Sequence, residues 1–167
     1  MRFVFLLAVL LALAPAAPGQ IPRRAPGFSL PDSSLRQHDL QDDRGKIVLI
    51  EIMKTNCPGC RAFAKVLEQV KAKYAGRVVV LAIVHPPDDV NAVKAYIRDN
   101  KVTAPVLFDC GQMAASYIRR ATVNVPHLLV VDGAGMIQGD YDHEADKGIF
   151  EGKELYTLIE RLLKTAK

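Results

Sequence analysis

Short apolar runs alternate along this chain with segments in which apolar residues recur at helical spacing. Residues 46–53 and 77–84 are almost wholly apolar and rich in β-branched side chains, so both are predicted to be buried strands. Between them, the pattern from residue 58 to about 76 predicts an amphipathic helix with five apolar positions: Phe63, Val66, Leu67, Val70 and Tyr74. The first half of the domain therefore has the order strand, helix, strand.

The rest of the chain continues this alternation. The predicted elements are, in order, a helix over 88–100, a strand over 105–108, a short helix over 113–119, strands over 127–131 and 136–140, and a helix over 153–163. A turn of the kind that joins antiparallel strands, residues 132–135, separates the last two strands. This order predicts an α/β fold whose sheet is covered on both faces.

Length and composition indicate one globular domain. The chain has 167 residues, of which 50% are hydrophobic, and its formal charge is +4. Lys and Arg are interleaved with Asp and Glu, so no nucleic-acid partner is expected. Residues 20–34 contain three prolines and are predicted to be an extended leader or edge strand, which leaves 35–167 as the folded domain.

The first residues have the features of a secretory signal. Arg2 precedes an unbroken apolar run over 3–14, which is short for a membrane-spanning helix of about 20 residues. Small residues follow over 14–19, so residues 1–19 are predicted to be a cleaved signal peptide of a periplasmic or extracellular protein. An uncleaved anchor is the alternative, and contact with a membrane is expected only in that case.

The strongest chemical motif is Cys57-Pro58-Gly59-Cys60, at the junction of the first strand and the first helix. Proline suits the first helical position, so Cys57 is expected beside the helix N-terminus. Unpaired N–H groups and the positive end of the helix dipole favour a thiolate there, and the thiolate is the nucleophile of disulfide exchange. Cys60 lies one turn away, close enough for a disulfide, so the pair is predicted to be redox-active.

Other uses of two cysteines fit less well. A structural disulfide remains possible from spacing alone, but a structural zinc site needs four ligands, and neither a second Cys-x-x-Cys nor a His pair is present. Haem attachment requires a histidine after Cys60, where this chain has Arg61. No bound metal or cofactor is expected.

The order of strand, Cys-x-x-Cys at a helix start, and a later Val-Pro opening a strand at Pro126 resembles the thioredoxin superfamily. Residues 25–32 and 44–49 resemble more specifically its exported TlpA/ResA-type, or redoxin, branch, as does the extra strand–helix unit around 102–119. This resemblance implies a thioredoxin-like fold: a central mixed sheet flanked by helices on both faces, with that unit inserted.

The resemblance also implies roles at the site. Cys57 is expected to attack a partner disulfide and Cys60 to resolve the mixed disulfide. Glu51 matches the buried carboxylate six residues before the first cysteine, and burial would raise its pKa and suit it to proton transfer with Cys60. Pro126 matches the cis proline that the superfamily places next to the disulfide. The substrate is expected to lie against four residues at this point: Pro58, Gly59, Val125 and Pro126. The partners implied are protein thiols and disulfides, with a membrane electron donor or oxidant as a further candidate.

Several nearby residues have two interpretations. Glu51 could instead pair with Lys54, and Lys54 and Arg61 could be thiolate-stabilising cations or surface charges. Cys110, the unpaired third cysteine, could be a further redox thiol, although a small buried hydrophobe is favoured. His127 and His85 lie by a predicted strand start and end, and packing or solvation is favoured for both.

Two other functions are compatible with parts of the sequence. Peroxiredoxin-like peroxidases place Thr three residues before the reactive cysteine, where this chain has Lys54, with Thr55 one position away. A copper metallochaperone could use Cys57, Cys60 and a histidine such as His127. The cysteines of related copper carriers are, however, one residue further apart. Exchange of disulfides is therefore the leading hypothesis, and the Pro-Gly dipeptide leaves the direction of electron flow open.

Overall fold

The computed structural model describes residues 21–119 and 122–165. The strands are β1 Arg23–Arg24, β2 Ser29–Pro31, β3 Gln37–Asp39, β4 Ile47–Met53, β5 Val78–Val84, β6 Val106–Phe108, β7 His127–Val131 and β8 Met136–Asp142. The helices are α1 Pro58–Lys73, α2 Val90–Asn100, α3 Lys147–Phe150 and α4 Lys153–Thr165, with a 3₁₀ turn over Leu40–Asp43 and a π-helical turn over Ala114–Ile118.

Six strands form one mixed sheet in the order β1-β8-β7-β4-β5-β6. The strands β4, β5 and β6 are parallel, whereas β7 runs antiparallel to β4, β8 to β7 and β1 to β8. Parallel neighbours need a crossover connection, which α1 and α2 provide. The carboxyl end of β4, from which the Cys-x-x-Cys segment leaves, therefore lies beside the start of β7.

The three longer helices α1, α2 and α4 pack on one face of the sheet. Their apolar stripes meet alternate residues of β4, β5 and β7 in a core that includes Leu49, Val80 and Leu128. The helical side chains in this core include Phe63 and Leu67. Each such side chain contributes about 1.5–3 kcal/mol when fully buried.

Shorter segments cover the opposite face. Tyr117 and Ile118 of the π-helical turn and Leu40 of the 3₁₀ turn pack there with Ala25 and partly buried Phe28 of the N-terminal segment. The prediction of a sheet covered on both faces is confirmed. The second layer, however, consists of single turns and the β2–β3 hairpin rather than of long helices.

The predicted long elements match the observed ones to within two or three residues at each end. The predicted helix over 113–119 is a π-helical turn over Ala114–Ile118. Residues 23–31, within the predicted leader, contribute β1 to the main sheet and β2 to the hairpin. The predicted signal peptide, 1–19, lies outside the described residues. Within the described ranges, no helix has both the length and the hydropathy to span a bilayer.

Candidate active site

The two cysteines of the motif are joined by a disulfide at the start of α1. Cys57 is the N-cap, its Sγ accepts a hydrogen bond of 3.1 Å from the backbone N–H of Cys60, and Pro58 follows at the first helical position. The Cα atoms of the pair are 5.2 Å apart. Cys60 is completely buried, whereas Cys57 is half-buried. Cys57 is therefore the sulfur that a partner can reach.

The loop between β4 and α1 is fixed from two sides. The backbone N–H of Thr55 donates to Asp88 Oδ2 at 2.6 Å, and the backbone N–H of Cys57 donates to the Lys54 carbonyl at 3.3 Å. The Arg61 guanidinium donates to the Thr55 carbonyl at 3.3 Å. This contact gives Arg61 a part in holding the loop.

The segment before β7 lies directly against Cys57. The carbonyl oxygen of Val125 is 3.6 Å from Cys57 Sγ, and the peptide bond between Val125 and Pro126 is cis. The register of β7 on β4, with His127 opposite Ile52, places this segment at the carboxyl end of β4. The structure thus brings Val125 and Pro126 together with the cysteine pair.

A residue that the sequence did not single out, His143, also lies at this site. A Cβ added to Gly59 would stand 3.2 Å from Pro126 Cδ and 3.5 Å from both Cε1 and Nε2 of His143. The half-buried His143 ring follows β8 and meets the Phe150 ring edge-on, with centroids 5.1 Å apart. His143 belongs to no motif, and no local signal connects it to Gly59, which lies in a distant part of the sequence.

Glu51 is a buried carboxyl on β4, and its neighbours two positions away, Leu49 and Met53, pack on the face of the sheet that α1 covers. Glu51 is 1% exposed, its Oε1 has no hydrogen-bond partner, and it makes no ion pair with Lys54. Burial raises the pKa of Glu51 to about 8. Together with Ala64 and Tyr96 it lines a cavity of about 10 Å³. The Tyr96 hydroxyl donates to the backbone carbonyl of Cys60 at 3.4 Å, so one residue lining this cavity also contacts Cys60.

His127 belongs to a buried ionic array on the other face of the sheet. Its Nε2 is 2.9 Å from Asp140 Oδ1, and Asp140 Oδ2 is 3.0 Å from the Arg23 guanidinium. Burial alone would raise the pKa of Asp140, but hydrogen bonds from His127 and Arg23 outweigh it and hold that pKa below its usual range. His127 is fully buried, and its strand partner Ile52 packs in the core opposite α1.

This placement bears on the copper hypothesis. Paired residues of neighbouring strands point to the same face, so His127 lies with Ile52, away from Cys60. Among the described residues, no three or more His, Cys, Asp or Glu side chains are grouped as a metal site. The three-ligand set of Cys57, Cys60 and His127 is not assembled.

The remaining candidates lie further along the same edge of the sheet. Cys110 is a free, exposed thiol after β6, so the expectation that it is a buried hydrophobe is wrong. It follows the edge strand β6 in a turn where the Asp109 carboxylate accepts hydrogen bonds from the backbone N–H groups of Gln112 and Met113. His85 is half-buried after β5, with its backbone N–H on the Met53 carbonyl at 2.8 Å.

Comparisons with known proteins agree with this geometry. The AhpC/TSA family model matches residues 21–139. The thioredoxin-like protein YneN of Bacillus subtilis (strain 168) is 30% identical over 118 residues, which cover 70% of this chain and 68% of that protein.

Solved structures show the same fold. A thiol:disulfide interchange protein of the thioredoxin family from Chlorobium tepidum TLS has a TM-score of 0.62 at 22% identity, covering 77% of this chain and 88% of that one. A secreted Mycobacterium tuberculosis disulfide oxidoreductase, described as homologous to E. coli DsbE, has a TM-score of 0.58 at 23% identity, covering 66% and 80%. The thioredoxin-like fold is thereby confirmed, with its mixed central sheet.

The family match spans most of the described chain, and within it the Cys57–Cys60 disulfide stands at the start of α1. The chain belongs to the AhpC/TSA family, has a thioredoxin-like fold and carries a Cys-x-x-Cys disulfide at the start of its first long helix.

Proposed function

We propose that this protein is exported and exchanges disulfides with partner proteins through Cys57 and Cys60. The observation that carries the proposal is the difference between the two sulfurs: Cys57 is half-buried at the helix N-terminus, whereas Cys60 is completely buried beneath it. A partner disulfide can reach only the first. The second is placed to act within the protein, on the sulfur of Cys57.

The exchange has two steps, written here for the reduced protein. The Cys57 thiolate attacks one sulfur of a partner disulfide, the mixed disulfide forms, and the other partner sulfur leaves as a thiolate. Cys60 then loses its proton and attacks Cys57 Sγ, which forms the Cys57–Cys60 disulfide and releases the second partner thiolate. The partner gains the two electrons that the cysteine pair loses, and the reverse sequence oxidises a partner dithiol.

Glu51 is proposed to handle the proton of Cys60. With its pKa raised to about 8, both protonation states of the carboxyl are accessible near neutral pH, as a proton acceptor and donor requires. The unpartnered Oε1 and the small cavity shared with Tyr96 leave the carboxyl free to receive that proton. Glu51 is therefore assigned to the second step, in which Cys60 becomes the nucleophile.

The partner chain is proposed to lie across the backbone of Val125 and Pro126. The Val125 carbonyl borders Cys57 Sγ at 3.6 Å, so a chain that brings its own sulfur to Cys57 must pass this segment. Pro58, exposed on the first turn of α1, and Gly59 form the opposite border. Recognition through backbone groups suits a protein that accepts several partners, because it requires no particular side chain.

Export is supported by the sequence of the first residues and by one similar protein. Arg2, the apolar run over 3–14 and the small residues after it are the features of a secretory signal. One similar structure is described as a secreted disulfide oxidoreductase. An exported exchange protein needs a supply or a sink of electrons, for which a membrane donor or oxidant is proposed.

Matched serine variants test this function. Cys57→Ser is expected to abolish exchange with a protein disulfide substrate, since no accessible sulfur of the pair remains. Cys60→Ser is expected to accumulate the mixed disulfide, visible as a covalent adduct on non-reducing gels. Cys110→Ser serves as the control and should exchange at the wild-type rate. Unchanged exchange by Cys57→Ser would refute the proposal.

A further inference from the structure

His143 fills the space beside Gly59, the second of the two residues between Cys57 and Cys60. Gly59 has no side chain, and a Cβ built there would be in van der Waals contact, at 3.5 Å, with Cε1 and Nε2 of the His143 ring. Gly59 stands two residues after Cys57 on the first turn of α1. The imidazole of His143 is thus held against the redox motif by a different part of the chain, the loop after β8.

The loop that carries His143 is fixed by its own hydrogen bonds. The backbone N–H of Asp142 donates to Asp146 Oδ2 at 2.9 Å, and the backbone N–H of Asp146 donates to the Asp142 carbonyl at 2.8 Å. The next helix, α3, contributes the buried Phe150, whose ring packs on His143 and, at a centroid distance of 4.7 Å, on Phe63 of α1. His143 is therefore positioned relative to α1 by packing.

The other groups around His143 define its electrostatic setting. The groups packed on the ring, Gly59 and Phe150, carry no charge. The carboxylates of its own loop accept backbone hydrogen bonds, from Glu144 to Asp142 and from Asp142 to Asp146. The charged residues nearest in sequence to the motif and to the loop are Lys54, Arg61, Glu144 and Lys147.

We propose that His143 is a further residue of the redox site and stabilises the thiolate that Cys57 carries in the reduced protein. This inference rests on the proposed function. When a partner dithiol is oxidised to a disulfide, it gives up two electrons and two protons. The Cys57–Cys60 bond breaks and takes up the electrons, Cys60 takes one proton, the other proton goes to solvent, and Cys57 remains a thiolate. Gly59 is two residues from Cys57 on the same helical turn, so a ring N–H held at Gly59 places a positive dipole near that thiolate and favours the charged sulfur. His143 thereby stabilises the reduced form and makes the couple more oxidising.

Three variants test the inference. His143→Phe keeps a ring of similar size without its N–H groups, and His143→Gln keeps a hydrogen-bond donor in a smaller side chain. His85→Gln is the matched control, a half-buried histidine at the same edge of the sheet. Each variant is made in the Cys110→Ser protein, so that only the redox pair contributes thiols. The equilibrium constant with glutathione and the pKa of Cys57, from the ultraviolet absorbance of its thiolate, are then measured on the full chain.

His143→Phe is expected to raise the pKa of Cys57 and to shift the glutathione equilibrium about tenfold towards the disulfide, which is about 30 mV for a two-electron couple. His143→Gln should recover part of the shift, and His85→Gln should change neither quantity by more than about twofold. Wild-type values in both His143 variants, or equal shifts in His143→Phe and His85→Gln, would overturn the inference. A wild-type protein without a reversible two-cysteine couple would instead overturn the proposed function.

Discussion

The carbonyl oxygen of Val125 lies 3.6 Å from the Sγ of Cys57, although the two residues are 68 positions apart. The antiparallel pairing of β7 with β4 produces this contact, because it places the start of one strand beside the end of the other. The accessible sulfur is therefore bordered by backbone. A partner that reaches this sulfur meets a carbonyl group whose position depends on the sheet.

The buried carboxyl of Glu51 is expected to make stability fall as pH rises. Its pKa is about 8 in the folded protein against an ordinary value of 4.5, because burial disfavours the charged form. The stabilisation of the fold by the neutral carboxyl is therefore complete below pH 4.5 and is lost as the pH rises through about 8. The free energy of unfolding falls by about 2–5 kcal/mol over this range. Glu51→Gln, neutral throughout, should lose less stability between pH 5 and pH 9 in urea unfolding of the oxidised protein.

Glu68→Gln is the contrasting control for that measurement. Burial alone would raise the pKa of Glu68, but hydrogen bonds from Thr103 and Ala104 outweigh it and lower that pKa. The stability this carboxylate contributes is therefore present above its ordinary pKa of 4.5 and lost as pH falls. Glu68→Gln should be destabilised by about 1–2 kcal/mol at neutral pH. If both variants changed the pH profile in the same direction, burial of Glu51 would not be the cause.

Replacing Asp140 is expected to lower the free energy of unfolding more than replacing most other polar residues. The side chains that it joins, Arg23 and His127, are only 10% and 0% exposed. Asp140→Asn removes the charge that compensates the buried Arg23 guanidinium, so a loss of about 3–5 kcal/mol is expected in urea unfolding. Since ionic pairing lowers the pKa of Asp140, this stabilisation should weaken only as the pH falls below about 3.8.

Asp99→Asn is the surface control for Asp140→Asn. Asp99 pairs with Arg98 at 2.8 Å, but their side chains are 60% and 72% exposed. An exposed pair is worth about 0–1 kcal/mol, so this variant should unfold close to the wild type. Equal losses of unfolding free energy in the two variants would show that the buried contacts of Asp140 with Arg23 and His127 do not stabilise the fold as expected.

The exposed Cys110 should react as an ordinary surface thiol in either redox state. The oxidised protein is expected to take up one equivalent of a maleimide per chain without denaturant, and Cys110→Ser to take up none. After reduction, Cys57 should become the second accessible thiol and buried Cys60 should react more slowly. Failure of the oxidised wild type to react would place Cys110 inside the fold.

The elements formed by local pattern could be predicted from the sequence. The apolar run of β4, the helical spacing of α1 and the Cys-x-x-Cys between them all depend on neighbouring residues, and they are found where expected. Among residues joined only by the tertiary fold, the family resemblance identified Val125 and Pro126, whereas residues outside any family motif could not be identified. Arg23 meets Asp140 across 117 positions, and His143 reaches Gly59 from another loop, and neither pair leaves a local signal.

The shortest strands could not be predicted from the sequence, for a related reason. Strands of two or three residues, such as β1 and β2, are too short to show an alternating pattern, and pairing with β8 and β3 creates them. The exposure of Cys110 likewise depends on the strand order, since β6 lies at the edge of the sheet.

The reduction potential of the Cys57–Cys60 pair tests the central claim most directly. It is measured on the Cys110→Ser protein by equilibration in glutathione and dithiothreitol buffers and quantification of the two forms. A reversible two-electron couple is expected, between about −270 and −120 mV. A value near the lower limit would indicate a reductase, and one near the upper limit an oxidant of partner thiols. A disulfide that does not equilibrate with either buffer would contradict the account, since Cys57 and Cys60 would then form a structural bridge.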